Sequence, residues 1–521
     1  MLVLKFGGTS VGSPEAIEKL IAVLKDREHR EYTRVVVVSA FSGVTDSLIA
    51  AAKEAAGGKT PAQEGSAGEG IEALGKRHFE AAAHFLEGEA LEKTLEELKG
   101  SVSELARVLA GVAALRELSK RTLDYIMSFG ERLSAFLLAQ VLGSQGFNAE
   151  YLDTRPLIKT DEQFGGARFK REETYRLIQD HFAVLKPGPG GFPPLQVATG
   201  FIGSTGEGIT TTLGRGGSDL TAAIFGAALD AGEVEIWTDV DGILTADPRL
   251  VKEPFLIESI SYEEAMELSL FGAKIIYPPT IRPSLEKGIP IRVRNTFRPS
   301  CMGTKIVKDA EPGKYPIRGI SSFSHIALIR FQGSGMVGTA GFSSRLFGAL
   351  ARRGINIILI SQGSSEYSIC FAVLPQDVPL AEEAVRAEFD REISQGSIEE
   401  PVSEDKLCII AVVGSRMKSS SGIAGKVFHA LGRNGINVVA IAQGSSELNI
   451  SAVISRQDEA KAMNAIHEAF FLSGVRSVNL FLVGIGLIGG TLVNQIAGHR
   501  EILADRDKIR INLVGAANSR K

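Results

Sequence analysis

The sequence predicts an α/β chain: a doubly wound sheet with a helical insertion, followed by a small sandwich unit present in two copies. Two observations carry this. Valine-rich apolar runs alternate with helical periodicity over roughly the first 300 residues, the pattern of a parallel sheet covered on both faces. Segments Phe347 to Phe371 and Phe428 to Ala452 then repeat one another, sharing Gly-Ile-Asn at 354–356 and 435–437 and Gln-Gly-Ser-Ser-Glu at 362–366 and 443–447.

The first element is a strand, Leu2 to Leu4, that runs through Lys5 into Gly7, Gly8, Thr9 and Ser10 and then a helix from Pro14 to Arg27. Glycines let backbone approach an anion, and N–H groups at a helix start can bind phosphate. The spacing is not the Gly-x4-Gly-Lys-Ser/Thr of a P-loop. A buried strand from Arg34 to Ala40 leads into a polar loop, Phe41 to Asp46, at the strand end where open α/β sheets place ligands. Gly57 to Gly70 reads as a surface loop, Ile71 to Leu142 as several amphipathic helices, and Phe147 to Leu152 as a strand. Leu195 to Gly203 is a strand into a glycine turn, followed by a polar hairpin, the cluster Thr210 to Asp219 and a helix from Leu220 to Ala231. The strand Val234 to Thr238 opens into Asp239-Val240-Asp241-Gly242, with a turn at Asp247-Pro248-Arg249 and a helix from Tyr262 to Phe271 ahead of Lys274.

Each repeat reads strand, helix, strand, strand, helix, the order of a ferredoxin-like sandwich; two copies can pack side by side. In the first copy the elements are 326–331, 341–353, 356–361, 367–373 and 380–389. Beyond them, Val478 to Val483 enters Gly484-Ile485-Gly486-Leu487-Ile488-Gly489, a dinucleotide-binding opening between a strand and a helix. The expected domains are therefore 1–300, with the insertion at about 71–142, then 315–395, 396–474 and a truncated Rossmann start at 475–521.

Bulk properties narrow the function. A formal net charge of −4 gives no reason to expect nucleic-acid binding. No apolar run reaches the roughly 18 residues of a membrane span, and no signal peptide opens the chain. Three distant cysteines, Cys301, Cys370 and Cys408, suggest neither a disulfide framework nor a metal cluster, and fit a reducing cytoplasm.

The ordered motifs KFGGTSVG (5–12), VVVSAFSGVTD (36–46), SFGERLSA (128–135), TTTLGRGGSD (210–219), WTDVDGILTADPR (237–249) and FGAKIIYP (271–278) resemble those of the aspartokinases. The likeness is to the kinase portion of the bifunctional aspartokinase–homoserine dehydrogenases. The repeats, with ISQGSSEYSI (360–369) and IAQGSSELNI (441–450), are similar to ACT domains. The last 45 or so residues look like the start of the homoserine dehydrogenase domain.

That resemblance implies transfer of the γ-phosphoryl of MgATP to the side-chain carboxylate of L-aspartate, the first step toward threonine, methionine and lysine. An aspartate side chain ordinarily loses its proton near pH ~3.9, so at neutral pH the acceptor needs no general base. The task is to hold two anions together and neutralise charge in a loose transition state. By resemblance Lys5 and Lys274 contact phosphate and Asp219 orients a lysine and the substrate. Arg215 forks onto the α-carboxylate, Glu131 pairs with the α-ammonium, and Ser39 and Thr45 line the pocket. Gly7, Gly8, Thr238, Asp239 and Arg249 belong to the nucleotide side, with Lys5 and Lys274. Leu244 replaces a Tyr that contacts nucleotide in many relatives. No protein metal cage is expected, the phosphates carrying Mg2+. Read alone, Arg215 and Asp219 equally allow a structural ion pair or cap at a helix entrance, and Thr238 and Asp239 a capped turn.

Gln362 and Gln443 match glutamines that read threonine in the bifunctional enzymes, which implies L-threonine feedback, with lysine as the rival effector and simple dimerisation as the bland reading. A homodimer or higher homo-oligomer is expected. Against the kinase stand another amino-acid kinase, a non-catalytic amino-acid sensor, and homoserine dehydrogenase activity. The combination of GRGGSD and GERLSA opposes the first, the retained Lys5, Arg215, Asp219 and Lys274 the second, and the early end of the chain the third.

Overall fold

The computed structural model describes residues 1–26, 33–59, 67–188, 191–270, 276–311, 313–363, 367–444, 446–472, 476–505 and 509–518. Lys274, and Ser364, Ser365, Glu366 and Ser445 of the repeated motif, lie outside the described residues. The chain divides into two compact units: Met1–Leu244 with Leu256–Glu311, and Thr245–Phe255 with Pro312–Lys521.

In the first unit β1 (Leu2–Phe6), α1 (Gly8–Val11) and α2 (Pro14–Lys25) precede β2 (Thr33–Val38) and α3 (Val44–Ala56). The insertion forms α4 (Ala67–Phe85), α5 (Gly88–Leu115) and α6 (Lys120–Ser144). The loop expected to reach Gly70 therefore gives way to helix at Ala67. β3 (Ala149–Leu152), α7 (Arg171–Ala183), β4 (Leu195–Thr199), β5 (Ile202–Ser204), β6 (Thr210–Thr212), α8 (Gly217–Ala228) and β7 (Glu233–Thr238) follow. β8 (Ser259–Ser261), α9 (Tyr262–Leu270), α10 (Pro278–Lys287), β9 (Ile291–Asn295) and β10 (Thr304–Val307) complete it.

Eight strands form one sheet in the order β3-β4-β2-β1-β7-β9-β10-β8. Its pairs are parallel except β9–β10. β2 explains why: four consecutive valines are all buried, so both faces are covered. Leu4, Phe6, Val36 and Val38 share a core with α2, α3 and α6. Alternation turns Val3, Val35 and Val37 to the other face, where α8 packs on β1, β2 and β7. β1 and β7 are neighbours although far apart in sequence, so the sheet reverses its winding at β1. The turns after β1, β2 and β7 emerge together at its C-terminal edge, where such sheets bind ligands. The β5–β6 hairpin stands apart as a two-stranded ribbon.

In the second unit β11 (Gly319–Gln332), α11 (Phe342–Arg352), β12 (Leu359–Gln362), β13 (Ser368–Val373) and α12 (Val378–Glu388) form one repeat. β14 (Val402–Val413), α13 (Ile423–Arg433), β15 (Val438–Gln443), β16 (Asn449–Ser455) and α14 (Glu459–His467) form the other. Together they make one antiparallel sheet, β12-β13-β11-β14-β16-β15. Expected as 326–331, the first strand is 14 residues long, because its early half extends the partner repeat. Ser321, Ser322 and Phe323 pair with Ala411, Ile410 and Ile409, whereas Ala327 to Gln332 pair with β13. Each long strand carries a residue with positive φ where it changes duty, His325 at 62° and Lys406 at 57°. The two repeats keep separate hydrophobic cores, one on α11 and α12, the other on α13 and α14.

The segment Thr245–Phe255, expected within the first domain, joins the second core. Ala246 and Val251 are buried beside Ile320, Met463 and Phe471. Ile320 N–H donates to Thr245 O (2.8 Å), Asn464 to Leu250 O (2.7 Å), and Thr245 Oγ1 lies 2.9 Å from Nε2 of His467. Burial lowers the His467 pKa to about 4, so its ring is neutral at pH 7. Cys408 is buried, whereas Cys370 is half-buried on β13. β17 (Arg476–Val483), α15 (Leu487–Asp505) and β18 (Ile509–Ala517) close the described chain as a strand, helix and parallel strand. No helix among the described residues is long and apolar enough to cross a membrane.

Candidate functional site

A cavity of about 580 Å3 opens at the C-terminal edge of the larger sheet. Lys5, Ser39, Thr45, Glu131, Arg215 and Asp219 all line it. They reach it from four separate stretches of the chain. Lys5 lies near the end of β1, and Ser39 follows β2, its N–H bonded to Phe6 O (3.2 Å). Thr45 sits in the first turn of α3, Glu131 in the buried middle of α6, and Asp219 in the first turn of α8.

The charges are arranged in opposition. Lys5 Nζ is 2.6 Å from Asp219 Oδ1, with both side chains largely buried. Asp219 therefore pairs with Lys5 rather than with Arg215, its neighbour four residues back. The exposed Arg215 guanidinium lies 5.7 Å over the ring of Tyr277, to which sequence reasoning assigned no role. Glu131 is 3% exposed; Oε1 accepts the Ala40 N–H (3.2 Å), and Oε2 has no partner among the described residues. Burial pushes its pKa up to about 8, against the lowering pull of the Ala40 N–H and the Lys5 charge. A buried carboxylate with one unpartnered oxygen suits an ammonium ligand, whose charge would restore the ionised form. The cavity thus offers cations for acidic groups and an anion for an amino group.

Gly7 joins β1 to α1, whose first residue is Gly8, and neither is among the residues lining this cavity. The Gly7 N–H donates to Trp237 O (3.0 Å), which ties it to the sheet and removes it from any phosphate cradle. A Cβ at Gly8 would meet Ala40 O at 2.7 Å, so the turn can approach the β2 loop only as glycine. Thr238 ends β7, the parallel neighbour of β1, Asp239 follows it, and Thr238 Oγ1 donates to Asp239 Oδ1 (3.1 Å). Arg249 belongs to the second unit, is exposed, and pairs with Asp247 at 2.5 Å, holding that carboxyl below its usual range. Leu244 bridges to Leu256. Among the described residues no cluster of three or more His, Cys, Asp or Glu side chains could hold a metal ion.

Sequence reasoning passed over Asp124, Gly165 and Thr212. Asp124 is fully buried on α6, two turns before Glu131, and binds both Gly165 and Thr212 of the cavity wall. The only signal for it was an acid seven residues before Glu131, hence on nearly the same helix face.

In the second unit Gln362 and Gln443 occupy equivalent places, the last residues of β12 and β15, opposite Ile369 and Ile450. Both are exposed. Gln443 lines a cavity of about 440 Å3 with Lys418, Ser420, Gly422, Glu447 and Ile450.

This combination, a mostly parallel sheet with opposed charges at its edge followed by paired sandwich repeats, is the architecture of an amino acid kinase domain with ACT repeats. The amino acid kinase family profile matches residues 1–295, and the ACT domain profile matches 329–389 and 410–470. The chain is 31% identical over 490 residues to Aspartokinase 1, chloroplastic, of Arabidopsis thaliana, covering 91% of this chain and 80% of that protein. It is 37% identical over 533 residues to the Arabidopsis thaliana Bifunctional aspartokinase/homoserine dehydrogenase 2, chloroplastic, covering all of this chain but only 56% of that relative. Aspartokinase III of E. coli, solved in complex with aspartate and ADP, superposes with a TM-score of 0.75 at 27% identity, over 90% of this chain and all of that one. Its complex with lysine and aspartate gives 0.71 at 28%, over 90% of this chain and 99% of that one. The chain belongs to the aspartokinases of the amino acid kinase family.

The raised pKa of Glu131 makes a stability prediction. Its folded state favours the protonated form, so the stability it contributes is complete below about pH 4.5 and lost as pH rises through about 8. A Glu131→Gln variant, which cannot ionise, should match the wild type in thermal unfolding at pH 5 and melt higher than it at pH 9. Equal melting temperatures at both pH values would contradict the assignment.

Proposed function

We propose that this chain is an aspartate kinase, transferring the γ-phosphoryl of MgATP to the side-chain carboxylate of L-aspartate to give 4-phospho-L-aspartate and ADP. The observation that carries this reading is the cavity that gathers Lys5, Asp219, Arg215 and the half-satisfied carboxylate of Glu131. Arg215 takes the α-carboxylate and Glu131 the α-ammonium, which leaves the side-chain carboxylate to face Lys5. The Lys5 ammonium, held by Asp219, meets the phosphoryl oxygens on which charge spreads in the transition state. The acceptor carboxylate attacks phosphorus directly, the bond to the bridging oxygen of ADP breaks, and no proton need move. Mg2+ bound to the nucleotide phosphates would neutralise part of their charge. Thr238 and Asp239, one strand from Lys5, take the nucleotide side. Lys274 and Arg249 complete that set by likeness of motif. The solved complex of E. coli aspartokinase III with aspartate and ADP supports the substrate pair.

The repeats supply feedback. L-threonine, a small hydroxy-amino acid, fits the cavity at Gln443, whose amide both donates and accepts, and the equivalent position at Gln362. A coupling of about 1–3 kcal/mol would suffice for control. The E. coli enzyme solved with lysine makes lysine the competing effector. The reaction would open the route to threonine, methionine and lysine.

The test is MgATP-dependent trapping of aspartyl phosphate as its hydroxamate, with and without L-threonine or L-lysine. Turnover suppressed by threonine is expected; no hydroxamate while threonine still binds would make the chain a sensor. Asp219→Ala should lower turnover by about 100- to 1000-fold, by analogy with removal of one fixed transition-state contact, and full turnover would overturn the site. A Gln362→Ala, Gln443→Ala double variant should keep turnover and lose threonine inhibition. Inhibition at wild-type threonine concentrations would remove these glutamines from the effector site.

A further inference from the structure

Asp124 lies outside the residues proposed to touch either substrate, yet it organises one wall of the acceptor cavity. Its side chain is fully buried and accepts four hydrogen bonds from donors on that wall. The Gly165 N–H donates to both oxygens (3.1 and 3.0 Å), the Thr212 N–H to Oδ2 (3.0 Å) and Thr212 Oγ1 to Oδ1 (2.8 Å). Gly165 and Thr212 belong to separate segments, and a bond from Ala167 N–H to Thr212 O (2.8 Å) ties the two together. They enclose the turn that carries Arg215. Gly214, with φ of 73°, has its Cα so near the Gly165 turn that a Cβ would meet Gly166 Cα at 3.2 Å. Arg215 itself makes no ion pair among the described residues and lies instead over the Tyr277 ring. Its direction therefore depends on the backbone beneath it.

We propose that Asp124 is the positioning residue for Arg215, acting through Thr212 and the Gly165 turn to aim the guanidinium that takes the α-carboxylate of the acceptor. α6 then serves both ends of the amino acid, Glu131 directly and Asp124 at one remove, from positions two turns apart on one rigid helix. This inference rests on the aspartate kinase reading.

The test compares steady-state kinetics of the wild type, Asp124→Asn, Arg215→Ala and the double variant, with aspartate and MgATP varied separately. Asn keeps the volume but puts an amide NH2 against a backbone N–H, so Asp124→Asn should raise KM for aspartate roughly tenfold. Its KM for MgATP should stay within about twofold of the wild type. In the Arg215→Ala background the same change should add less than about twofold, because the two residues act as one unit. If Asp124→Asn does not fold, Thr212→Val and Thr212→Ser decide: loss of the hydroxyl should raise KM for aspartate and Ser should restore it. An unchanged KM for aspartate in Asp124→Asn, or in Thr212→Val, overturns the inference, as do fully additive effects with Arg215→Ala. A wild type that makes no aspartyl phosphate overturns the functional reading itself, a failure distinct from either.

Discussion

A carboxylate removed from solvent is the constraint around which the catalytic unit is built. Glu131 is buried with one hydrogen bond and, among the described residues, one unpartnered oxygen, a state that burial makes unfavourable for the charged form. A ligand bearing an ammonium group relieves it in place. The rest of the cavity supplies the reverse: the Lys5 ammonium, fixed by Asp219, and the fork of Arg215. A zwitterion with a second acid group is the ligand class that satisfies these charges together. Because burial already disfavours the ionised carboxylate, an ammonium group meeting Glu131 would favour an amino acid over a simple dicarboxylate.

The parallel sheet makes this arrangement possible. Lys5, Ser39 and Thr238 come from three adjacent strands whose C-terminal ends emerge side by side, and the first turns of α3, after β2, and of α8, after the β5–β6 hairpin, bring Thr45 and Asp219 to the same cavity. In the regulatory unit the equivalent economy is shared strands. β11 and β14 each serve both repeats, so Gln362 and Gln443, the proposed effector positions, lie on one continuous sheet. A ligand that alters the strand ends of one repeat acts on a strand the other also uses.

Much of this was legible in the sequence, and the exceptions share a cause. Runs such as Val35 to Val38 announce a doubly covered strand because four valines in a row leave no face for water. The cavity residues were legible through short motifs of special composition around Lys5, Glu131, Arg215 and Asp219. Their pairing was not: spacing favoured Arg215 with Asp219, and tertiary placement brought Lys5 there instead. Asp124 was hidden because a lone acid on an amphipathic helix ordinarily faces water. The early half of β11 was hidden by Ser321, Ser322 and Ser324, polar residues that mask a strand when its partner lies in another repeat. The strap Thr245–Phe255 read as a turn because Ala246 and Val251 are too few to show a period, although both are buried. Local pattern finds elements; it does not find what a distant segment will cover.

The most direct measurement is the proton count on binding. With a pKa near 8 in the empty cavity, Glu131 holds a proton at pH 7 that an incoming ammonium must displace. Calorimetric titration of the protein with L-aspartate at pH 7, in buffers of differing ionisation enthalpy, should show release of about one proton per aspartate bound. The Glu131→Gln variant should show none. Binding by the wild type with no dependence on the buffer would mean that Glu131 is already ionised or does not meet the ligand, and would contradict the account at its centre.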